Sequence, residues 1–386
     1  MSRRVGICAV AQTPFKRDYW EERFQGMALI VLESLLEQTG LKFDETNGIQ
    51  ASISVSDDIF DARTISNNAM TDVLGAHFGC EEKVAQEGAQ ALYYALAMIQ
   101  SGHVDTVLVL GHCKESQGQS RNMVTHMAFD PFYTRPVGLD FQAAAGLQAQ
   151  AYLQKSGIRE DQLARIVVRA RNNAKRFPLP LEIDPVDPSE VQNSPMLADP
   201  IRSLHAYPVT DGAIGMIVAA EERARAICPN PVWITGVGNC MDSFFLGDRD
   251  ITSNFALKQA LQRACRRAEI DRPQDAFDVV ELSDLYAYQL PLWCEGIGLC
   301  PENRAQDWLD ADGLDNHRVN LSGGTLAGSP LILGGLSRAA SVVLQLMGKA
   351  GDAQIDGARR GLAHGVMGPA GQFHTVLVLE RDGSGR

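Results

Sequence analysis

The chain has 386 residues, 45% of them hydrophobic and 21% charged, with a formal net charge of −12. That length allows two core-forming units, and the composition is neither disordered nor fibrous. With no dense Lys/Arg run, the negative field excludes nucleic acid and anionic membrane as expected partners, and an anionic ligand must be met by local positive charge or helix N-termini. Eight cysteines (8, 80, 113, 228, 240, 265, 294 and 300) are scattered without CxxC spacing. They read as reduced thiols of a cytoplasmic protein, not as a disulfide frame or a zinc site. No apolar run reaches the roughly 18 residues that span a bilayer. The opening "MSRRVGICAVAQTPF" is basic, but its apolar run is short and strand-like, unlike a signal peptide.

In chain order, "RRVGICAVA" (3–11) is a β-type run, followed by the helical pattern "GMALIVLESLLEQTGL" (26–41) and the short strand "GIQASISVSD" (48–57). A small-residue helix, "GAQALYYALAMIQSG" (88–102), leads to the apolar strands "DTVLVLGH" and "GAIGMIVAAEE". The order then repeats. "PVWITGVG" (231–238), "NFALKQALQRACRRAEI" (254–270), "FDVVELSD" (277–284), "GGLSRAASVVLQLMG" (334–348) and "HTVLVLER" match the first series in type and approximate spacing. Five pairs in one order predict an internal duplication, and alternating strands and helices predict α/β layers with strands buried on both faces.

The first half is interrupted by the helical runs "FQAAAGLQAQAYLQKSG" and "REDQLARIVVRARNNAKRF", then the proline-rich "PLPLEIDPVDP". The expected division is therefore 1–122 with 200–228 as the N-terminal half, 123–199 as an inserted covering region, and 229–386 as the C-terminal half. Packed excursions of this length often cover a site.

Three stretches, "SGHVDTVLVLGHCKES", "SPMLADPIRSLHAYPVTDGAIGMIVAAEE" and "VNLSGGTLAGSPLILGGL", are similar to the thiolase superfamily, in the branch resembling sterol-carrier-protein-type thiolases. The resemblance covers nearly the whole chain. It implies two duplicated βαβαβαββ halves stacked as α-β-α-β-α layers, a homodimer, and an insert over an acyl-CoA pocket. The catalytic motifs depart from the family one by one. The nucleophilic cysteine falls on Ala85, in "AQEG". The His-Asp-Cys-Phe motif reads Ser283-Asp284-Leu285-Tyr286, and Gly-His-Pro reads Gly328-Ser329-Pro330. The C-terminal Cys-x-Gly loop reads "AHGVMGPAGQFH", with His364 but no cysteine.

An alanine methyl forms no thioester, so a thiolytic mechanism needs another thiol, of which Cys80, five residues upstream, is the nearest in sequence. Retro-aldol cleavage of a 3-hydroxyacyl-CoA needs only a base, an oxyanion hole and an acid. Some members resembling this chain are steroid side-chain-cleaving aldolases that use tyrosines and pair with a zinc-ribbon/OB-fold subunit. The resemblance thus implies an acyl-CoA substrate with a bulky ring system of the steroid kind, coenzyme A only as part of substrate and product, no bound cofactor, and zinc only in such a partner. Two rivals stand beside it: thiolysis of an aryl 3-oxoacyl-CoA by a displaced nucleophile, and a catalytically silent subunit that binds acyl-CoA or scaffolds a partner.

Tyr286 is the first acid/base candidate, expected to end a core strand, with Tyr288 on the same face if extension continues. A buried tyrosine with a polar handle is the competing structural reading. Asp284 orients a neighbour or caps a turn. Ser329 donates a hydrogen bond but is a poor base. His364 lies in an expected loop. Glu87, at the start of the 88–102 helix, is either a helix cap or a base in the vacated niche. Cys113 reads as a small buried apolar side chain.

Overall fold

A computed structural model describes residues 3–76 and 79–383. Its first half comprises β1 (Val5–Gln12), α1 (Phe24–Thr39), β2 (Ala51–Val55), β3 (Cys80–Val84), α2 (Gly88–Gln100), β4 (Thr106–Lys114) and β5 (Asp211–Ala220). Between β4 and β5 the chain adds an insert whose helices include Arg121–His126 (α3), Phe141–Ser156 (α4) and Glu160–Ala174 (α5). The second half comprises β6 (Val232–Met241), α6 (Phe255–Arg267), β7 (Val279–Glu281), α7 (Gln289–Gly296), α8 (Gly334–Leu346), β8 (Arg360–Met367) and β9 (Phe373–Arg381).

The strands run β7-β8-β9-β6-β1-β5-β4-β2-β3. In the first half β3, β2 and β4 are parallel, and β5 and β1 follow antiparallel. In the second half β7 and β8 are parallel, and β9 and β6 follow antiparallel. Val319 even supplies a parallel bridge to Val280, where β3 pairs with β2 in the first half. The expected duplication is therefore present in strand order and direction, with this single bridge standing where the first half has β3.

Period-two alternation divides the core into three layers. Val107 and Val109 of β4 and Leu377 and Leu379 of β9 face a central layer in which α2 and α8 pack together. Leu108 and Leu110 turn outward to α1. Val376 and Val378 turn outward to α6, α7 and the inserted helices. The insert thus interrupts the first half in sequence but docks on the second half in space, where Arg165 pairs with Asp310 at 2.7 Å and Arg169 with Asp315 at 2.6 Å. Among the described residues no helix is long and apolar enough to cross a membrane.

Candidate functional site

In open α/β sheets ligands gather beyond the carboxyl ends of parallel strands. Here that edge carries the β3–α2 turn, Ala85-Gln86-Glu87. Ala85 and Gln86 are exposed, whereas Glu87 is fully buried. Glu87 caps α2 as its sequence position suggested, accepting hydrogen bonds from the Ala89 and Gln90 amides at 2.8 Å each. A Cβ on Gly335 of α8 or on Gly365 of β8 would collide with the same carboxylate. Two bare backbones therefore make room for one carboxyl between the halves. Burial pushes the Glu87 pKa up to about 7 against the pull of the amides and the Thr375 side chain.

Strand β7 stops at Glu281, so Tyr286 does not end a strand, contrary to expectation. Residues 282–288 instead form a loop. Ser283 Oγ lies 3.0 Å from Thr325 Oγ1, and Asp284 Oδ1 accepts from the Thr325 amide at 2.7 Å. Asp284 Oδ2 has no partner, and burial pushes this carboxyl up to about 7. Ser329 is buried with its hydroxyl unpartnered.

His364 lies in strand β8 and not in the expected loop. Its Nε2 is 2.9 Å from His374 Nδ1, and His374 Nε2 is 2.8 Å from the Gly371 carbonyl. Because a carbonyl only accepts, His374 donates from Nε2 and accepts at Nδ1. His364 then donates from Nε2, leaving its Nδ1 to accept from the Ser283 amide at 3.4 Å. Burial holds both rings neutral, with His374 down to about 3 and His364 well below its usual range. His364 and Gly365 are adjacent on a strand and face opposite sides. His364 and Glu87 are therefore separated by the sheet and do not form one site.

The loop carrying Tyr286 pairs with residues 205–207. Ala206 bridges Tyr286, the Tyr207 amide donates to the Leu285 carbonyl at 2.8 Å, and the Ala287 amide donates to the His205 carbonyl at 2.8 Å. This brings Tyr207 edge-on to Tyr286, with ring centroids 6.1 Å apart. Arg121, paired with Glu115, lies 3.6 Å above the Tyr207 ring and donates to the Tyr207 and Pro208 carbonyls at 2.6 and 2.9 Å. Burial raises both phenols above their ordinary pKa, opposed by the Arg121 charge. Tyr286 is thus a neutral acid or donor at physiological pH rather than a base. Tyr288 does not continue an extended segment, because its backbone is helical at the start of α7. Its ring stacks on Tyr286, but its hydroxyl donates to Gln148 at 2.7 Å. Tyr207 lies in one of the stretches that carry the family resemblance, but neither it nor Arg121 stands at a catalytic-motif position, and only the pairing of two distant loops reveals them.

Cys80 begins β3 opposite Ala51, whereas Ala85 follows the strand's other end. At about 3.3 Å per residue the two lie roughly 15 Å apart, which leaves Cys80 at the wrong edge of the sheet. Cys113 is buried, and burial pushes its thiol well above the usual range. A groove of about 760 Å³ between α6 and residues 295–302 contains none of the candidate side chains.

A family model described as thiolase C-terminal domain-like matches residues 240–381. An acetyl-CoA acetyltransferase from Methanothermobacter thermautotrophicus is 28% identical over 387 residues, covering 96% of this chain and 97% of that protein. Sterol carrier protein 2 from Gallus gallus is 26% identical over 301 residues, covering 72% of this chain but 54% of that longer protein. Among solved structures, an Ltp2-ChsH2(DUF35) aldolase superposes with a TM-score of 0.81 at 18% identity, covering 99% of both chains. At that identity the likeness is one of fold.

Proposed function

The chain belongs to the thiolase superfamily, in its sterol-carrier-protein-2-like branch, and from that premise we propose that it cleaves a carbon–carbon bond of a bulky 3-hydroxyacyl-CoA by a retro-aldol step, without an acyl-enzyme. The observation that carries this reading is the exposed methyl of Ala85 before α2, with the nearest cysteine in sequence at the far end of β3. The name of the aldolase neighbour supports the same chemistry.

In the proposed step a base takes the β-hydroxyl proton, the Cα–Cβ bond breaks, and its electron pair enters the thioester as an enolate while a ketone or aldehyde forms at Cβ. An acid then protonates Cα. Asp284 is assigned as the base: its Oδ2 is sealed from solvent and has no protein partner, so that an arriving substrate hydroxyl would be its first, and its pKa of about 7 is near the optimum for proton transfer at neutrality. Tyr286, kept protonated by burial, is assigned as the acid. Return of the Asp284 proton to the Tyr286 phenolate closes the cycle with no net proton change.

The acyl-CoA substrate, a homodimer and a second subunit belong to the same proposal. The fold neighbour is named together with ChsH2(DUF35), and the insert exposes Met123, Met127, Phe132, Tyr133 and Val137, a surface suited to a covering partner. The thiolytic alternative draws on the acetyltransferase name of the sequence relative, and the position of Cys80 opposes it. Tyr286→Phe and Asp284→Asn test the assignment. Each is expected to lower turnover of a bulky 3-hydroxyacyl-CoA by about 100-fold or more, with folding retained. Turnover within a few-fold of the parent in both variants removes these residues from the mechanism.

A further inference from the structure

Buried tyrosine hydroxyls normally end on a protein acceptor. Five of the eight tyrosines are buried. Tyr19 donates to the Pro14 carbonyl at 2.8 Å, Tyr152 to Glu295 at 2.8 Å and Tyr288 to Gln148 at 2.7 Å. The other two, Tyr207 and Tyr286, are the pair in edge-on contact, and among the described residues neither hydroxyl has a hydrogen-bond partner. Neither oxygen belongs to the sealed, unpartnered polar atoms, so both keep an opening toward solvent. Two neighbouring buried phenols with free hydroxyl hydrogens form a donor pair awaiting an acceptor.

The rest of the geometry fixes Tyr207 more firmly than a packing role requires. Arg121 grips two successive backbone carbonyls, those of Tyr207 and Pro208, and lies over the ring face. Glu115 holds the guanidinium from the other side through two oxygens. A cation over the face withdraws density from the ring and strengthens the phenol as a donor.

We propose that Tyr207 is a catalytic residue of this site, donating a hydrogen bond to the thioester oxygen as the enolate forms, and that Arg121 is its positioning residue. This rests on the retro-aldol reading of the same site. It divides the work of the two phenols: Tyr286 transfers its proton to Cα, and Tyr207 keeps its own while stabilising charge on oxygen. It also accounts for a site that functions without a histidine at Ser329, because the oxygen-binding donor comes from the 205–207 segment instead.

The test isolates enolate formation from bond cleavage. Propionyl-CoA is incubated with the full chain in D2O, together with any co-expressed subunit, and deuterium at Cα is followed by mass spectrometry. The parent is expected to exchange by the reverse of the Cα protonation: Asp284 takes the Tyr286 proton, the phenolate removes the Cα proton, and the enolate is re-protonated with deuterium from solvent. Tyr207→Phe is expected to slow exchange by about 100-fold while leaving the propionyl-CoA Kd within about threefold, the pattern of an interaction made only with the developing charge. Arg121→Lys keeps the charge but not the fork, and is expected to show a smaller loss of the same kind. Exchange within about twofold of the parent in a folded Tyr207→Phe overturns the proposal. If that variant does not fold, unchanged exchange in Arg121→Lys overturns it equally. Exchange that depends on Tyr207, without release of ketone or aldehyde from any 3-hydroxyacyl-CoA, sinks the retro-aldol reading and retains Tyr207 as the oxygen donor. Cleavage that is indifferent to Tyr207 sinks only the Tyr207 role, and a parent that does neither sinks both.

Discussion

Replacing Glu87 with glutamine removes a charge from between the two halves while keeping the side chain's size. In the folded chain burial raises this carboxyl from 4.5 to about 7. A group that holds its proton more tightly when folded stabilises the fold below its unfolded pKa, and the stability is lost as pH rises to the folded value. At about 1.4 kcal/mol per pH unit, the parent gives up roughly 3 kcal/mol between pH 4.5 and 7 through this group alone. Glutamine does not titrate, but its single carbonyl oxygen cannot serve both the Ala89 and Gln90 amides. The variant is therefore expected to be about 1 kcal/mol weaker near pH 4 and roughly 2 kcal/mol stronger near pH 8.5. Urea unfolding followed by circular dichroism at the two pH values reads this crossing, and the other titrating groups cancel in the comparison. Parallel stability curves, or a glutamine variant that worsens as pH rises, would show that the carboxylate is held ionised and refute the reasoning.

Three further outcomes follow from the same geometry. Ala85→Cys is expected to create an accessible thiol that iodoacetamide labels in mass spectrometry, yet no CoA-dependent cleavage of 3-oxoacyl-CoA, because Ser329 offers no base; a gain of thiolysis would contradict this. Gly335→Ala places a methyl against the Glu87 carboxylate and 2.8 Å from the Ala89 amide, and is expected to cost about 1–3 kcal/mol in urea unfolding. Combining it with Glu87→Ala should recover part of that loss, and strict additivity would count against the contact. His374→Phe leaves His364 Nε2 without its acceptor, with an expected cost of about 1–3 kcal/mol. Because both imidazoles are depressed, the parent should lose stability as pH falls below 6.5, and this variant should lose less.

The layered fold was legible because its strands and helices carry strong periodicity and recur in one order. Glu87 was legible too, since a carboxylate before a small-residue helix is a local capping signal. The errors have non-local causes. The run "SDLYAY" follows the apolar strand "FDVVEL" and reads as its extension, but Asp284 is turned onto the Thr325 amide and the chain leaves the sheet after Glu281. His364 sits among glycines that suggest a loop. Gly365 is instead bare because Glu87 presses on it, and Gly361 because Val342 of α8 does, both within a strand. Tyr207 was missed because its significance arises only when residues 205–207 pair with residues 285–287. The departures from the family motifs at Ala85 and Ser329 were visible at once. What replaces the lost groups was not, since that depends on loops nearly 80 residues apart.

The central claim is cleavage without a thiol, and the most direct test offers the protein, with and without co-expressed partners, a bulky 3-hydroxyacyl-CoA in the absence of free CoA. Release of a ketone or aldehyde with a shortened acyl-CoA is the predicted result. Cleavage only of a 3-oxoacyl-CoA, and only when free CoA is supplied, would contradict it and restore a thiolase mechanism.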